Sequence, residues 1–389
     1  MNVDRSNILE NVRRPLSIER IDLYPVRYPS VAHFKFLEGP KGVMGRPAVL
    51  IRITADDGTV GWGESVPLPR WSYETLESAV TTLDRYLRPV LIGLNSFDLD
   101  AVHAAMNREI AGAFSTGSPI TKAGVDIALH DLLGKATGLN TARLWGREPG
   151  KEVQLSWTLN PRTLDEVNAL IDEGFTRGYR NFNVKVAPDL AFDLELCRRV
   201  KARAPEGFLW ADANGGYDLA TALEAAPKLA DAGVAVLEQP LPANRLTGYR
   251  ALRKQGALPI ILDEGVVTPE DLLEFIELGC CDGVAMKPAR CGGILSASRQ
   301  IEILRSRNLL FLGSGLTDPD VSLSASLCLY AAYGLDRPAA LNGPQFLGAS
   351  VLSEPFAPAN GVLRVPQGPG LGIDVDEQKV QQLVAQSGA

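Results

Sequence analysis

The chain has 389 residues, of which 46% are hydrophobic and 22% charged, and carries a formal charge of −7 at pH 7. It is longer than one ordinary core serves, so two modules, or a large barrel with an addition, are expected. The acidic balance, with no cluster of Lys and Arg to offset it, excludes a phosphate-backbone binder, so no nucleic-acid partner is expected.

In chain order, "MNVDRSNILENVRRPL" has no apolar stretch of the kind a signal peptide needs. No window approaches the roughly 18 apolar residues that span a bilayer, so no membrane partner and a cytoplasmic location are expected. "IERIDLYPVRYP" and "PAVLIRITA" read as strands, the second running through Asp57-Gly58 into "TVGWGES" as a hairpin. Between the first two strands, "SVAHFKFLEGPKGVMG" contains glycine and lacks periodicity, which predicts a mobile loop over about residues 28–45. Helical patterns follow near Glu74–Leu91, Leu99–Ala111 and Lys122–Thr137.

From about residue 153 the texture becomes a regular alternation. Eight apolar segments ("VQLSWTL", "RNFNVKV", "FLWADAN", "AVLEQP", "PIILDE", "GVAMKP", "LLFLGSG", "AALNGP") are separated by amphipathic, helix-length stretches. Strands too apolar to have a wet face, each followed by a helix, predict a (β/α)8 barrel in an α/β fold. The expected organisation is an α+β cap over residues 1–145, the barrel over 146–345, and a Pro/Gly-rich tail over 346–389 that returns to the cap. The five cysteines (Cys197, Cys280, Cys281, Cys291, Cys328) form no CxxC pair and read as buried, reduced thiols.

Five successive barrel strands end in an out-of-place polar residue: Lys185, Asp212, Glu238, Asp263 and Lys287, separated by 27, 26, 25 and 24 residues. That spacing is one βα unit, so the five side chains meet at the C-terminal mouth, where such barrels hold their active sites. Three neighbouring carboxylates repel one another in a partly dry cavity unless a cation sits between them. Oxygen ligands with room left for water or substrate suit Mg2+, with Mn2+ as an alternative. Lysines flank the carboxylates on both sides, and a desolvated lysine beside other cations loses basicity and can act as a base. Asn214 and Glu264, next to metal-ligand candidates, read as orienting groups. Ser314 and Gly315, at the end of the seventh strand, are expected to line the carboxylate site. Trp157 reads mainly as barrel packing, and Gly292-Gly293 as close backbone contact rather than a phosphate cradle.

The motifs "NVK" (183–185), "DAN" (212–214), "LEQP" (237–240), "DE" (263–264) and "KPARCGG" (287–293), with "AGVDIALHDLLGK" and "VPQGPGLGID", resemble the enolase superfamily and, within it, the muconate-lactonizing subgroup. The resemblance runs from about residue 18 to 380. It implies a cap made from both chain ends, a lid near residues 30–44 that touches substrate, and a dimer or octamer. It also implies that a metal on Asp212, Glu238 and Asp263 binds a substrate carboxylate, that Lys185 or Lys287 removes the α-proton, and that metal charge holds the enediolate.

The departures from the family pattern narrow the reading. No histidine follows His130, so the His–Asp dyad of the mandelate-racemase branch has no source here. The first lysine of the usual Lys-x-Lys is Asn183, which removes one cation beside Lys185. Ala340 and Asn342 stand where dipeptide epimerases carry Asp-x-Asp, so a free dipeptide ammonium has no grip. Asp318 and Asp320, flanking Pro319, read as a helix start with Asp318 as its N-cap. The first expectation is a racemase or epimerase of an N-substituted amino acid, a small carboxylate. The alternatives are a muconate-type cycloisomerase, an o-succinylbenzoate synthase-like dehydratase and, remotely, a non-catalytic binding barrel.

Overall fold

Three antiparallel strands form the first sheet, β1 (Ile18–Tyr28), β2 (Arg46–Ala55) and β3 (Val60–Ser65), in the order β1-β2-β3. The structure, a computed structural model, describes residues 15–39, 42–113 and 115–387. The segment read for a leader, up to residue 14, and Pro40 and Lys41 of the expected lid lie outside the described residues. The turn between β2 and β3 is made by Asp57-Gly58, with Gly58 at φ +86, a conformation that costs glycine little.

Helices α1 (Leu76–Thr81) and α2 (Arg88–Leu91) are joined by a π-helical segment, and α3 (Leu99–Glu109) and α4 (Pro119–Thr137) follow. Almost the whole of α4 is buried, Thr121, Asp126, His130 and Asp131 included, because it lies between the cap sheet and the barrel. It rests on β3 through glycines: a Cβ on Gly63 would stand 1.9 Å from the Gly124 carbonyl oxygen. A short helix, α5 (Thr141–Leu144), ends the cap.

The barrel sheet is parallel in the order β5 (Trp157–Leu159), β6 (Phe182–Lys185), β7 (Leu209–Asp212), β8 (Val236–Glu238), β9 (Ile260–Leu262), β10 (Gly283–Met286), β11 (Leu310–Gly313). Helices α6 (Val167–Thr176), α7 (Leu190–Arg203), α8 (Leu219–Asp231), α9 (Leu246–Gln255), α10 (Pro269–Glu277), α11 (Ile294–Ser306) and α12 (Asp320–Ala332) alternate with the strands. Trp210, Val236, Ile261, Ala285, Leu312 and Ala340 form one apolar cluster. Each stands two residues before a mouth residue, and the period of two along a strand points both the same way, inward. The barrel interior is therefore packed directly beneath the site.

Two expected strands differ from the prediction. "AALNGP" makes no eighth strand; only Ala339 and Ala340 bridge, to Leu155 and Ser314, and these bridges close the circle between the first and seventh strands. Pro338 and Pro344 flank this stretch and cannot donate to a ladder, which limits its pairing. "VQLSWTL" divides: β4 (Glu152–Gln154) pairs antiparallel with the tail strand Val362–Arg364, and only Trp157–Leu159 joins the barrel. The last helix, Glu377–Ser387, packs on β1, and the Ser387 hydroxyl accepts from the Arg27 amide at 2.7 Å. The tail thus returns to the cap.

Candidate active site

Parity along the strands assembles the mouth. Lys185, Asp212 and Glu238 end β6, β7 and β8 at matched register, while Asp263 and Lys287 stand one residue past β9 and β10. Ser314 follows β11, and Asn342 lies two residues beyond the Ala340 bridge. All seven belong to one layer above the apolar interior. Asn183, two residues before Lys185, belongs to the layer below; it is buried, and its Nδ2 has no hydrogen-bond acceptor.

Each flanking lysine lies against a carboxylate. Lys185 Nζ donates to Asp212 Oδ2, and Lys287 Nζ donates to Asp263 Oδ2 while standing 4.0 Å from Glu238 Oε1. Arg290 donates to the other Asp263 oxygen and, at 2.9 Å, to the Ala285 carbonyl. Asn214 donates from its backbone to Asp212 Oδ1 at 2.9 Å and from Nδ2 to Glu264 Oε1 at 3.2 Å. Gln239 Oε1 accepts from the Asp263 amide at 2.8 Å.

Burial drives the Glu238 pKa well above the ordinary carboxylate range, and the charges of Asp212 and Asp263 add to that push. Glu264 rises to about 8 through burial and then through Asp263 and Asp212. Burial would raise Asp212 too, but Lys185, Lys287 and Lys35 together hold it below the usual value. For Lys287, burial acts downward, and Asp263, Glu238 and Glu264 outweigh it, so its net shift is upward.

The donor set was tested for a metal. Among the described residues, no three acidic, histidine or cysteine side chains close around one point as they stand, because Asp212 is turned to Lys185 and Asp263 to Lys287 and Arg290. The chemistry nonetheless fits a divalent cation. Three buried carboxylates end adjacent strands, and Glu238 Oε1 has no hydrogen-bond partner. Asp212, Glu238 and Asp263 would hold the ion, while the free Oε2 of Glu264 and Oδ1 of Asn214 stand beside them.

The cavity over this layer has room for about 20 Å³, little more than one water. Asn183, Lys185, Asn214, Lys287, Ser314, Gly315 and Asn342 form part of its wall. Its roof is apolar: Phe34 and Phe36 from the expected lid, and Trp71 from the cap. The Phe34 ring lies 5.9 Å from Lys185 Nζ and stacks on Phe346, and the Trp71 ring lies 4.9 Å from Lys287 Nζ. A larger groove of about 570 Å³ on the outer helices, lined by Arg250, Arg253 and Lys254 among others, contains none of the mouth residues.

Sequence reading missed several residues. Arg290 lies within the quoted "KPAR", where its spacing from Lys287 was the available signal. Lys35 and Trp71 sit in loops, where no periodicity marks a side chain as inward. The role expected for Asp318 is corrected. Its carboxylate accepts from the Leu316 amide at 3.1 Å, Pro319 is the N-cap of α12, and the amides of Val321 and Ser322 go to Glu64 of β3 at 3.1 and 3.0 Å. A carboxylate from another module reached the helix start first. Trp157 packs against Tyr179 and bonds the Leu170 carbonyl, and a Cβ on Gly293 would collide with Asp126, so these two are packing positions as expected.

Comparison with known proteins places this capped parallel barrel, with its acid-and-lysine mouth, among isomerase enzymes. The chain matches "Mandelate racemase / muconate lactonizing enzyme, N-terminal domain" over residues 40–146 and "Enolase C-terminal domain-like" over 164–379. It belongs to the enolase superfamily, in the muconate-lactonizing subgroup. It is 32% identical to chloromuconate cycloisomerase CbnB of Cupriavidus necator, over 86% of this chain and 90% of that one. It is 26% identical to N-succinyl-L-Arg/Lys racemase of Bacillus cereus, over 95% and 98% of the two chains. Muconate lactonizing enzyme from Pseudomonas fluorescens, solved with muconolactone, superposes with a TM-score of 0.87 at 27% identity, covering 95% of this chain and all (100%) of that one.

Proposed function

We propose that the protein moves a proton at the carbon α to a substrate carboxylate, most directly as a racemase or epimerase of an N-substituted amino acid. The observation that carries this reading is the placing of Lys185 and Lys287 on opposite flanks of the carboxylate row, both opening on one cavity. One ammonium group and one amine, facing a carbon from two sides, can remove the proton from one face and return it to the other. A divalent cation, Mg2+ by its preference for carboxylate oxygens, would neutralise the substrate carboxylate and acidify the adjacent C–H. Phe34, Phe36 and Trp71 exclude water above the lysines, which strengthens every charge interaction beneath.

A second reading is cycloisomerisation of a muconate-type diacid, with one lysine as acid and the other as a fixed cation. The flanks are unequal in the way this reading needs: Lys287 is enclosed by Asp263, Glu238 and Trp71, while Asn183 leaves the Lys185 flank without a strand-borne second cation. The likeness to chloromuconate cycloisomerase supports it as well.

Proton NMR in D2O with Mg2+, across N-acyl amino acids and muconates, separates the two. For a racemase, α-proton exchange occurs on both enantiomers, and Lys185→Ala and Lys287→Ala each abolish it for one. Product formation without exchange into substrate, lost with one lysine alone, would replace this reading with the cycloisomerase.

A further inference from the structure

Arg46, the first residue of β2, is wholly buried, and backbone carbonyls rather than a carboxylate take up all three of its guanidinium nitrogens. Nε donates to Leu316 at 2.8 Å, Nη2 to Val66 at 2.6 Å, and Nη1 to Pro67 at 2.6 Å and Pro47 at 3.2 Å. Leu316 belongs to the segment after β11, while Val66 and Pro67 lead into the cap segment that bears Leu68 and Trp71. Leu316, Leu68 and Trp71 all line the cavity over the mouth. A buried cation needs compensation. Here it comes from the walls of the site, with the charges of Asp318 and Glu64 acting in its favour.

The backbone between Leu316 and Thr317 needs such an anchor. Thr317 lies at φ +54, in the left-handed region that a β-branched residue reaches only under strain, and it is buried in the cavity wall. Leu316 is gripped at both ends: Asp318 Oδ1 accepts from its amide at 3.1 Å, and Arg46 donates to its carbonyl. The Leu316–Thr317 peptide is trans, so its N–H runs opposite to the carbonyl and away from Arg46. That Thr317 amide has no acceptor among the described residues. A carbonyl bound to a cation also polarises its own peptide, which makes the N–H a stronger donor.

We propose that Arg46 is a positioning residue of the mouth. It fixes the strained Leu316–Thr317 peptide so that the Thr317 amide donates to a carbonyl or carboxylate oxygen of the substrate, and it ties that wall to the cap segment bearing Trp71. This rests on the reading of the cavity as the reaction site, and it serves either reaction above. Arg46 itself stays behind the wall and acts through the backbone.

Hydrogen–deuterium exchange of the full chain in Mg2+, read by mass spectrometry, tests the anchor. Arg46→Met is expected to speed exchange of the Leu316 amide roughly tenfold or more, at times before β6 to β8 exchange. Thr317→Gly takes the same backbone without strain, so it should suppress most of that acceleration in the double variant. Arg46→Lys, which keeps a charged donor, should show less of it. If Arg46→Met does not fold, Arg46→Gln, a neutral donor, takes its place. Exchange of the Leu316 amide at the parent's rate, acceleration spread evenly over the chain, or acceleration indifferent to residue 317 would overturn the proposal. Calorimetric binding of N-acetyl-phenylalanine and of cis,cis-muconate follows the donor: whichever the parent binds should bind about tenfold more weakly to Arg46→Met, and unchanged affinity would remove the amide from the site. If the parent binds neither compound, the reading of the substrate falls, and the exchange pattern alone decides for or against Arg46.

Discussion

Among single residues, Glu238 has the most constrained environment. It is buried between Asp212 and Asp263, one of its oxygens has no hydrogen-bond partner, and its pKa lies well above the usual range. A carboxyl whose folded pKa is raised binds its proton more tightly in the native state. Without metal, stability therefore falls as pH rises from the unfolded value near 4.5 toward the folded one. Glu238→Gln removes this penalty, so the metal-free variant is expected to be more stable than the parent at pH 8 and similar to it near pH 4.5. Mg2+ at about a hundred times its dissociation constant should stabilise the parent by about 2.7 kcal/mol and the variant by almost nothing. Urea denaturation with and without Mg2+ reads both; equal stabilisation of the two proteins would remove Glu238 from the ion site. The positions of these charges were legible in the sequence because the barrel repeats every βα unit, so an acid or lysine at each strand end marks the mouth. Their partners were not. That Asp212 turns to Lys185, or that Arg290 takes the second oxygen of Asp263, depends on rotamers that spacing does not encode.

At the scale of elements, strands and helices announced themselves where their periodicity was long. The first three strands and α4 fall within a few residues of their expected limits. The eighth strand failed as a prediction because only two of the five residues between Pro338 and Pro344 pair, and circular closure needs only those two bridges. The start of α12 failed for a different reason: Asp318 looked like a local cap, but the helix amides are answered by Glu64 across the module boundary, with Tyr28 donating to the same carboxylate at 2.8 Å. The contact of β3 with α4 is tighter still, since any side chain on Gly63 would overlap the Gly124 carbonyl and the Ala128 amide. Backbone atoms in a buried helix do not yield as a flexible side chain does. Gly63→Ala is expected to cost about 1–3 kcal/mol or more by forcing the helix outward, whereas Gly58→Ala, in an open turn, costs only its left-handed backbone strain. Midpoints of urea unfolding compare the two, and a milder effect at Gly63 would contradict the packing described.

For the whole molecule, the question is whether cap and barrel unfold together, since Phe34, Phe36 and Trp71 roof the cavity over the barrel mouth. Several buried polar links cross between them. Arg46, at the start of β2, donates to the Leu316 carbonyl at 2.8 Å, and Glu64 of β3 accepts from the Val321 and Ser322 amides at 3.1 and 3.0 Å. Asp126 of α4 reaches the start of α11, accepting from the Ile294 amide at 2.5 Å, and also meets His103 Nε2 at 2.7 Å and His130 Nδ1 at 3.3 Å. Burial alone would raise the Asp126 pKa, but His130 and His103 outweigh it and hold the carboxyl far below the ordinary range; the pKa of the buried His130 is raised in return. A histidine raised in this way contributes stability that is complete below its unfolded pKa near 6.5 and is lost as pH rises through the folded value. Asp126→Asn keeps the shape but removes the charge, leaving His130 buried without its counterion, and the expected cost is about 3–5 kcal/mol. That cost should be larger at pH 6 than at pH 9, because only at the lower pH does the parent gain from the charged pair. Trp62 belongs to the cap, while Trp157 and Trp210 belong to the barrel, so tryptophan fluorescence and far-ultraviolet circular dichroism together follow both modules. Coincident single transitions, shifted together by Asp126→Asn, are the expected outcome for links that join the modules into one cooperative unit. An early transition confined to one probe would mean that the cap opens alone, and that these buried links position the lid without fastening it.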